Sequence, residues 1–442
     1  MLTLRRQTIA PQRQFTRCYT EQSGNKPTST VHPTILTANN YYYLRGGSEW
    51  VYFEEKRLLE EAGWRVVPFS MRHPSNIASD WDQHFVEELE LGQDYSLLKK
   101  LRLAPKSIYS FEARSKIRAL VREVQPDICH LHNIYHHLSP AILSVLKQEG
   151  VPCVMTLHDL QLACPAYKML THDGVCERCK GGQYFNVVKN RCVNGSLALS
   201  ALVYFETHLH KMLNSYTGNV DKFIVPSQFY ADKLVEWGMD RAKISYIPNA
   251  IDVSRFSPTQ SAGSGFVYVG RLVAEKGVHT LLQAAGQAGV PLTIVGEGPE
   301  KEALQELAKK SGTDVSFAGY LSGDQLHAAI RNARAVVLPS EWYENAPISV
   351  LEAFAFGVPV IGADIGGIPE MIEDGVTGAI FESGNVGALA SVLKVYADLS
   401  NDSILELGRA ARASLDGRFD QQTHLDSLRA LYGSLVPSLP AG

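Results

Sequence analysis

The sequence predicts an α/β protein built from two doubly wound, Rossmann-like domains that face each other across a cleft. Three observations carry that expectation. From Pro33 onward, short β-branched runs alternate with helical patterns, which is how parallel strands covered on both faces read. The alternation pauses once, in the Ser-, Thr-, Pro- and Gly-rich stretch RFSPTQSAGSG, and then restarts. Each half also opens alike, with a strand, a glycine turn and a helix.

Taken in order, residues 1–30 carry Arg5, Arg6, Arg13 and Arg17 with no acid before Glu21, and read as a disordered tail or a targeting peptide. Residues 31–255 form the first domain, with buried strands expected in TILTAN, WRVVPFS, ICHLHN, CVMTLH and KFIVPS, after which ISYIPNAID leads into the linker stretch. Residues 256–264 are the linker. Residues 265–415 form the second domain, with strands in GFVYVGR, PLTIVGEG, VSFAGY, AVVLPS, PVIGA and GAIFES. The helical segments GVHTLLQAAGQAG and PEKEALQELAKKSG each close on a glycine, the residue that most easily takes a left-handed helix end. Residues 416–442 hold a last helix that can cross back to the first domain, and a tail.

Composition narrows the function. With 442 residues, 45% apolar and 20% charged, the chain is long enough for two or three cores. A formal charge of −4 leaves no basic footprint for nucleic acid, so a small-molecule or carbohydrate ligand fits better. No apolar run reaches the roughly 18 residues of a membrane span, and the N-terminal stretch lacks the apolar core of a secretory signal, so a cytoplasmic protein is expected.

The second half gathers its chemistry where its strands end. Gly270-Arg271 follows the first strand with Lys276 five residues on, Gly296-Glu297-Gly298-Pro299 follows the second, and Ser340 to Glu344 follows the fourth. Asn345 is expected to cap a helix with Ala346 and Pro347 in its first turn, since proline suits that turn. Helix N–H groups, Arg271 and Lys276 together make a diphosphate site that needs no metal. In the first half, Gly46 and Gly47 precede a helix in the same way. Glu344 and Glu352 stand too far apart to share a proton, so they are expected to grip the two ends of one elongated ligand, the ribose of a nucleotide and a hexose.

The combination GR…EKG, VGEGP and E-x7-E with LEAFAFGVPVI resembles the nucleotide-sugar domain of the family 4 retaining glycosyltransferases, which have the GT-B fold; the likeness covers roughly residues 33–430. The resemblance implies that Arg271 and Lys276 bind the donor diphosphate, Glu344 the hydroxyls of the transferred sugar and Glu352 the ribose. It further implies that Gly46 and Gly47 form a glycine loop near the phosphates and that His158, in TLHD, faces the sugar. Catalysis then resembles front-face substitution with no divalent ion, so the formal D-x-D match Asp80-Trp81-Asp82 is read as coincidence. The resemblance also implies a nucleotide-diphosphate sugar as donor and a glycan or lipid-linked sugar as acceptor, in cell-surface or exopolysaccharide assembly. The chain departs from the family pattern at Asn345-Ala346, where many relatives carry glycine, which leaves the donor open.

Cys164, Cys176, Cys179 and Cys192 follow TLHD in C-x11-C-x2-C-x12-C spacing, and some bacterial relatives carry a similar insertion. The knuckle and two further thiols are read as structural zinc, disulfides or unlinked thiols. Cys18, Cys129 and Cys153 read as tail or buried strand thiols. In HLHNIYHH, His132 is the best placed for acceptor contact or proton handling, with His130, His136 and His137 structural. The basic run Leu97–Arg122, opposed only by Glu112, is either a solvated helix or a rest for anionic membrane on the inner face of the plasma membrane. LALSALVYF reads as core. Two other functions stand against the transferase: a non-catalytic sugar-nucleotide or glycan-binding module, and a dinucleotide-dependent oxidoreductase, which lacks its full G-x-G-x-x-G in either half.

Overall fold

The computed structural model of the chain describes residues 32–88 and 108–439. Its first sheet holds β1 (Thr34–Ala38), β2 (Arg65–Phe69), β3 (Ile128–Leu131), β4 (Cys153–Thr156), β7 (Lys222–Val225) and β8 (Ile244–Tyr246), all parallel, in the order β2-β1-β3-β4-β7-β8. The second sheet holds β9 (Gly265–Val269), β10 (Leu292–Val295), β11 (Val315–Gly319), β12 (Ala333–Leu338), β13 (Val360–Ala363) and β14 (Gly378–Phe381), again parallel, in the order β11-β10-β9-β12-β13-β14. Every segment read as a buried strand contains one, while β8 lies in ISYIPNAID, which carries no strand expectation and is only half-buried. A two-residue hairpin, β5 (Leu170–Thr171) with β6 (Gly174–Val175), lies inside the Cys-rich insertion and carries no sequence signal of its own.

Strands β1 and β12 are buried at every position, as parallel strands between two helical layers must be. Strand order reverses between β1 and β3 in the first sheet and between β9 and β12 in the second. Ligands of sheets wound this way sit beyond the carboxyl ends of the strands at such a point, because the loops there splay to opposite faces. The helices Val278–Ala288 and Lys301–Ser311 end on Gly289 and Gly312, both left-handed, with φ of 67° and 64°.

The chain passes between the sheets twice, and the two passages touch: Ile251 donates its N–H to the Phe419 carbonyl at 2.8 Å. After the second passage the helix Gln421–Leu435 lies on the first domain. Leu425, Leu428, Leu431 and Tyr432 complete a core with Ile35, Trp64, Ile128, Val154 and Ile224.

Two expectations change. LALSALVYF is not core: the helix Leu197–Met212 buries Ser200, Glu206 and His210 and exposes Leu197, Leu199, Phe205 and Met212. Its polar side turns inward because it has partners there, His136 at 3.3 Å from Glu206 and the Val193 N–H at 3.1 Å from Ser200. The basic run is less free than its charges suggest. Within the helix Phe111–Val124, Lys116 pairs with Glu112 at 2.9 Å, and Arg118 and Arg122 pair with Glu149 at 3.3 and 2.8 Å. The remainder of that run below Ile108 lies outside the described residues, as do the N-terminal arginines and Cys18. Cys129 and Cys153 are buried strand thiols.

Candidate active site

Lys276 is placed by the residue after it. Gly277 ends the short turn Ala274–Lys276 with φ of 65°, and a Cβ there would stand 1.9 Å from the Pro339 carbonyl oxygen, so only glycine lets the β9 loop lie against the β12 loop. The two loops meet in an ion pair. Lys276 Nζ lies 2.5 Å from Glu344 Oε1, and Ser340 donates to the same oxygen at 2.7 Å. Glu344 is buried, which by itself would raise its pKa; the Lys276 charge and these two hydrogen bonds outweigh burial and hold the carboxyl below its ordinary range. Arg271 is exposed five residues earlier on the β9 loop. Gly270 and Gly296 are packed against each other: a Cβ on Gly296 would meet the Gly270 carbonyl oxygen at 1.8 Å. Their glycines therefore serve loop-on-loop contact. Glu297 points to solvent and pairs with Lys301 at 2.6 Å.

The helix after Glu344 begins later than the sequence suggests. It spans Ile348–Ala355, with Pro347 at its cap and no side-chain cap hydrogen bond, so Asn345, Ala346 and Pro347 precede it. Asn345 does not cap because its amide is used elsewhere: Nδ2 donates to the Leu157 carbonyl at 3.1 Å, and Oδ1 accepts from Ser227 Oγ at 2.8 Å. Both partners belong to the first domain. Buried Ala346 is fixed by its carbonyl, which accepts from Asn249 Nδ2 at 2.9 Å. Two turns along, Glu352 is half-buried, and burial alone pushes its carboxyl up from near 4.5 to about 7.

From the other side, Gly46 and Gly47 are exposed at the start of the helix Gly47–Glu61. Their added Cβ atoms would meet nothing closer than Glu49 at 3.7 Å and Ile348 at 3.9 Å. Protein packing does not require glycine at either position, and the Ile348 contact brings this loop to the start of the Glu352 helix.

His158 follows β4, and its Nε2 lies 2.9 Å from Nδ1 of His132, which follows β3. Burial, and then the neighbouring His132, depress the His158 pKa to about 3, so the ring is neutral at any physiological pH. His132 is buried behind it, with Nε2 at 3.3 Å from Glu55 Oε2. The same carboxyl faces His130 at 3.5 Å and His424 at 3.3 Å; His130 also meets Tyr432 Oη at 2.8 Å and Thr156 Oγ1 at 2.7 Å. Burial opposes ionisation of Glu55, yet His130 and His132 keep its carboxyl well below the ordinary range. Sequence reasoning found His132 and His158 but missed Glu55, His424 and Tyr432, whose separation along the chain leaves no local pattern.

Glu55, His130 and His132 are the group, among the described residues, whose donor atoms lie close enough to suggest a metal. Both His130 nitrogens and His132 Nδ1 already have hydrogen-bonding neighbours, so the group reads as a hydrogen-bonded support. The four insertion cysteines line one small pocket with Met169 and Val187 and form no disulfide. Burial raises the Cys164 and Cys179 thiols to about 11 and about 12. Asp80 and Asp82 are exposed in a first-domain loop.

Comparison with known proteins agrees with this architecture. Residues 45–255 match the profile described as Glycosyltransferase Family 4, and residues 255–411 match Glycosyl transferases group 1. The chain is 29% identical to a glycogen synthase of Mycobacterium tuberculosis over 324 residues, covering 70% of this chain and 69% of that one. Among solved structures, sucrose-phosphate synthase from Thermosynechococcus elongatus superposes with a TM-score of 0.68 at 20% identity, covering 92% of this chain and 100% of that one. Anabaena HepE in complex with UDP and glucose superposes with a TM-score of 0.64 at 19% identity, covering 91% and 100%.

Proposed function

We propose, from the premise that this chain belongs to the GT4-type glycosyltransferases and has the GT-B fold, that it is a retaining hexosyltransferase. It moves a sugar from a nucleotide-diphosphate donor to a glycan or lipid-linked acceptor, in polysaccharide or cell-surface assembly. The observation that carries the reading is the placement of Lys276, Arg271 and Glu344 on the two loops that flank the strand-order reversal of the second sheet, one helix start away from Glu352. Arg271 and Lys276 bind the diphosphate, aided by the uncapped N–H groups at Ile348 and Ser349. Glu344 accepts hydrogen bonds from the transferred sugar and Glu352 from the ribose. Gly46 and Gly47 leave bare backbone for the phosphates, and neutral His158 meets the sugar.

In the reaction, the bond from the anomeric carbon to the diphosphate oxygen breaks while the acceptor oxygen bonds to the same face. The acceptor's proton passes to the departing phosphate oxygen. Fixed positive charges stabilise that leaving group as its charge develops, the role a divalent ion fills in other transferases. Transfer assayed across a panel of nucleotide sugars, with the product anomer read by NMR, tests this. An inverted product would sink the retaining mechanism, and turnover only with NAD(P) would sink the transferase.

For the insertion, we propose structural zinc on Cys164, Cys176, Cys179 and Cys192. The four cysteines line one pocket, and backbone hydrogen bonds from Met169 and Ala166 to the Cys164 sulfur offset part of the burial that raises its thiol. One zinc per chain by elemental analysis, lost in Cys176→Ser, is expected; a zinc-free chain with four titratable thiols overturns it. No helix of the described residues is long and apolar enough to cross a membrane. We propose a cytoplasmic enzyme resting peripherally on anionic membrane through the exposed apolar side of Leu197–Met212 rather than through the paired basic helix. Absence of flotation with anionic vesicles at physiological salt would exclude it.

A further inference from the structure

The Cys-rich insertion belongs to the first domain, yet two of its side chains end on the donor loops of the second. Lys168 Nζ lies 2.6 Å from Glu275 Oε1, and Glu275 is the residue before Lys276. Glu177, between the paired cysteines of C-E-R-C, accepts from Tyr343 Oη at 2.9 Å, and Tyr343 is the residue before Glu344. Lys233 holds the same Glu177 oxygen at 2.8 Å, so the carboxylate is fixed from its own domain before it reaches across. The Tyr343 ring is packed by Phe229 at 4.7 Å between centroids, and its carbonyl accepts from Tyr230 Oη at 3.1 Å.

Glu275 is buried, and Lys168 is about one-third exposed. Burial works against the Glu275 carboxylate, but the hydrogen bond and charge of Lys168 outweigh it and lower its pKa. The two contacts therefore do different work. Lys168 neutralises a carboxylate that would otherwise stand unpaired beside the proposed diphosphate lysine, and Glu177 fixes the rotation of the segment that carries Glu344. Cys164 and Cys176 of the thiol pocket flank Lys168 in the chain, and Cys176 and Cys179 flank Glu177.

We propose that the insertion is a strap across the cleft, with Lys168 and Glu177 as positioning residues that hold the Lys276 and Glu344 loops in register from the opposite domain. The role in donor binding rests on the function proposed above; the mechanical role does not. The geometry makes two demands. Cutting one contact should loosen its own loop more than the other, and restoring the charge pair in reversed order should restore the β9 loop.

Hydrogen–deuterium exchange on the full chain reads the mechanical part without any substrate. In Lys168→Met, amides of residues 270–277 should exchange about tenfold faster; in Glu177→Ala, those of residues 340–347 should do so, with the remaining sheet amides unchanged in both. The exchanged pair Lys168→Glu with Glu275→Lys should return the first loop to within about twofold of the unmodified chain. Once a donor is in hand, the same single variants should raise its KM about five- to tenfold with a smaller change in kcat. Unchanged exchange in both loops of folded variants overturns the strap whatever the activity. Faster exchange with unchanged KM overturns its role in donor binding and leaves the transferase reading intact. Faster exchange everywhere marks general destabilisation and also overturns it.

Discussion

Lys276 and Glu344 hold each other at 2.5 Å, so any diphosphate must compete with a carboxylate for the same ammonium. The ion pair keeps the Glu344 carboxylate ionised. Replacing Lys276 with Ala should lower turnover by about two to three orders of magnitude, the scale of one preorganised charge stabiliser. Steady-state kinetics with the cognate donor checks it, and unchanged rates would remove the phosphate role.

Glu352 makes a sharper prediction, because burial alone lifts its pKa to about 7. A hydroxyl-accepting carboxylate works best ionised, and the ionised fraction rises about tenfold between pH 6 and pH 8. Donor affinity should therefore rise by up to about tenfold over that interval, and Glu352→Gln should flatten the profile. The stability sign is opposite. A carboxyl raised on folding supports the native state below its unfolded value and loses that support as pH rises through about 7, so Glu352→Gln should melt higher than the unmodified chain at pH 8. Calorimetry at pH 5 and pH 8 reads this directly; a gain equal at both pH values would contradict it.

Among elements, the helix Gln421–Leu435 contributes most to the first domain from outside it. Leu428 is fully buried between β-sheet and helix, so Leu428→Ala should cost about 2–5 kcal/mol in denaturant unfolding of the first domain. The same helix sends His424 and Tyr432 to the network behind His158. Strand positions were legible because a buried parallel strand is a short β-branched run whichever loop follows it. Helix starts were less legible. Asn345 has the chemistry of a cap, but its amide is taken by Leu157 and Ser227, and no window of sequence contains those partners. For LALSALVYF, apolar composition suggested burial, while Ser200, Glu206 and His210 had found polar partners inward.

Across the whole molecule, the two domains are joined by polar contacts between particular loops. Glu370 of the second domain accepts from the N–H groups of Gln228 and Phe229 at 2.8 and 2.5 Å, and Asn345 bridges Leu157 and Ser227. Asn345→Ala should then raise the donor KM several-fold while leaving the melting temperature of each domain nearly unchanged, because it breaks cross-cleft bonds worth about 1 kcal/mol each without opening a core. Donor titration and calorimetry together separate the two effects. The second-domain loops of this site were legible as motifs. Its support from the first domain was not: Glu55 meets histidines at 130, 132 and 424, and only the folded path brings them together.

The return of the chain to the first domain has a consequence for synthesis. A ribosome delivers β1 to β8 long before it delivers Leu425, Leu428, Leu431 and Tyr432, and the entire second domain is made in between. During that interval the face of the first sheet that carries Ile35, Ile128 and Val154 lacks the cover of that helix. Domains generally mature in the order they emerge, and exposed apolar surface at that stage invites aggregation or chaperones. Here the domain made first must finish last, so nascent chains stalled between β8 and residue 421 should present the same sticky sheet face.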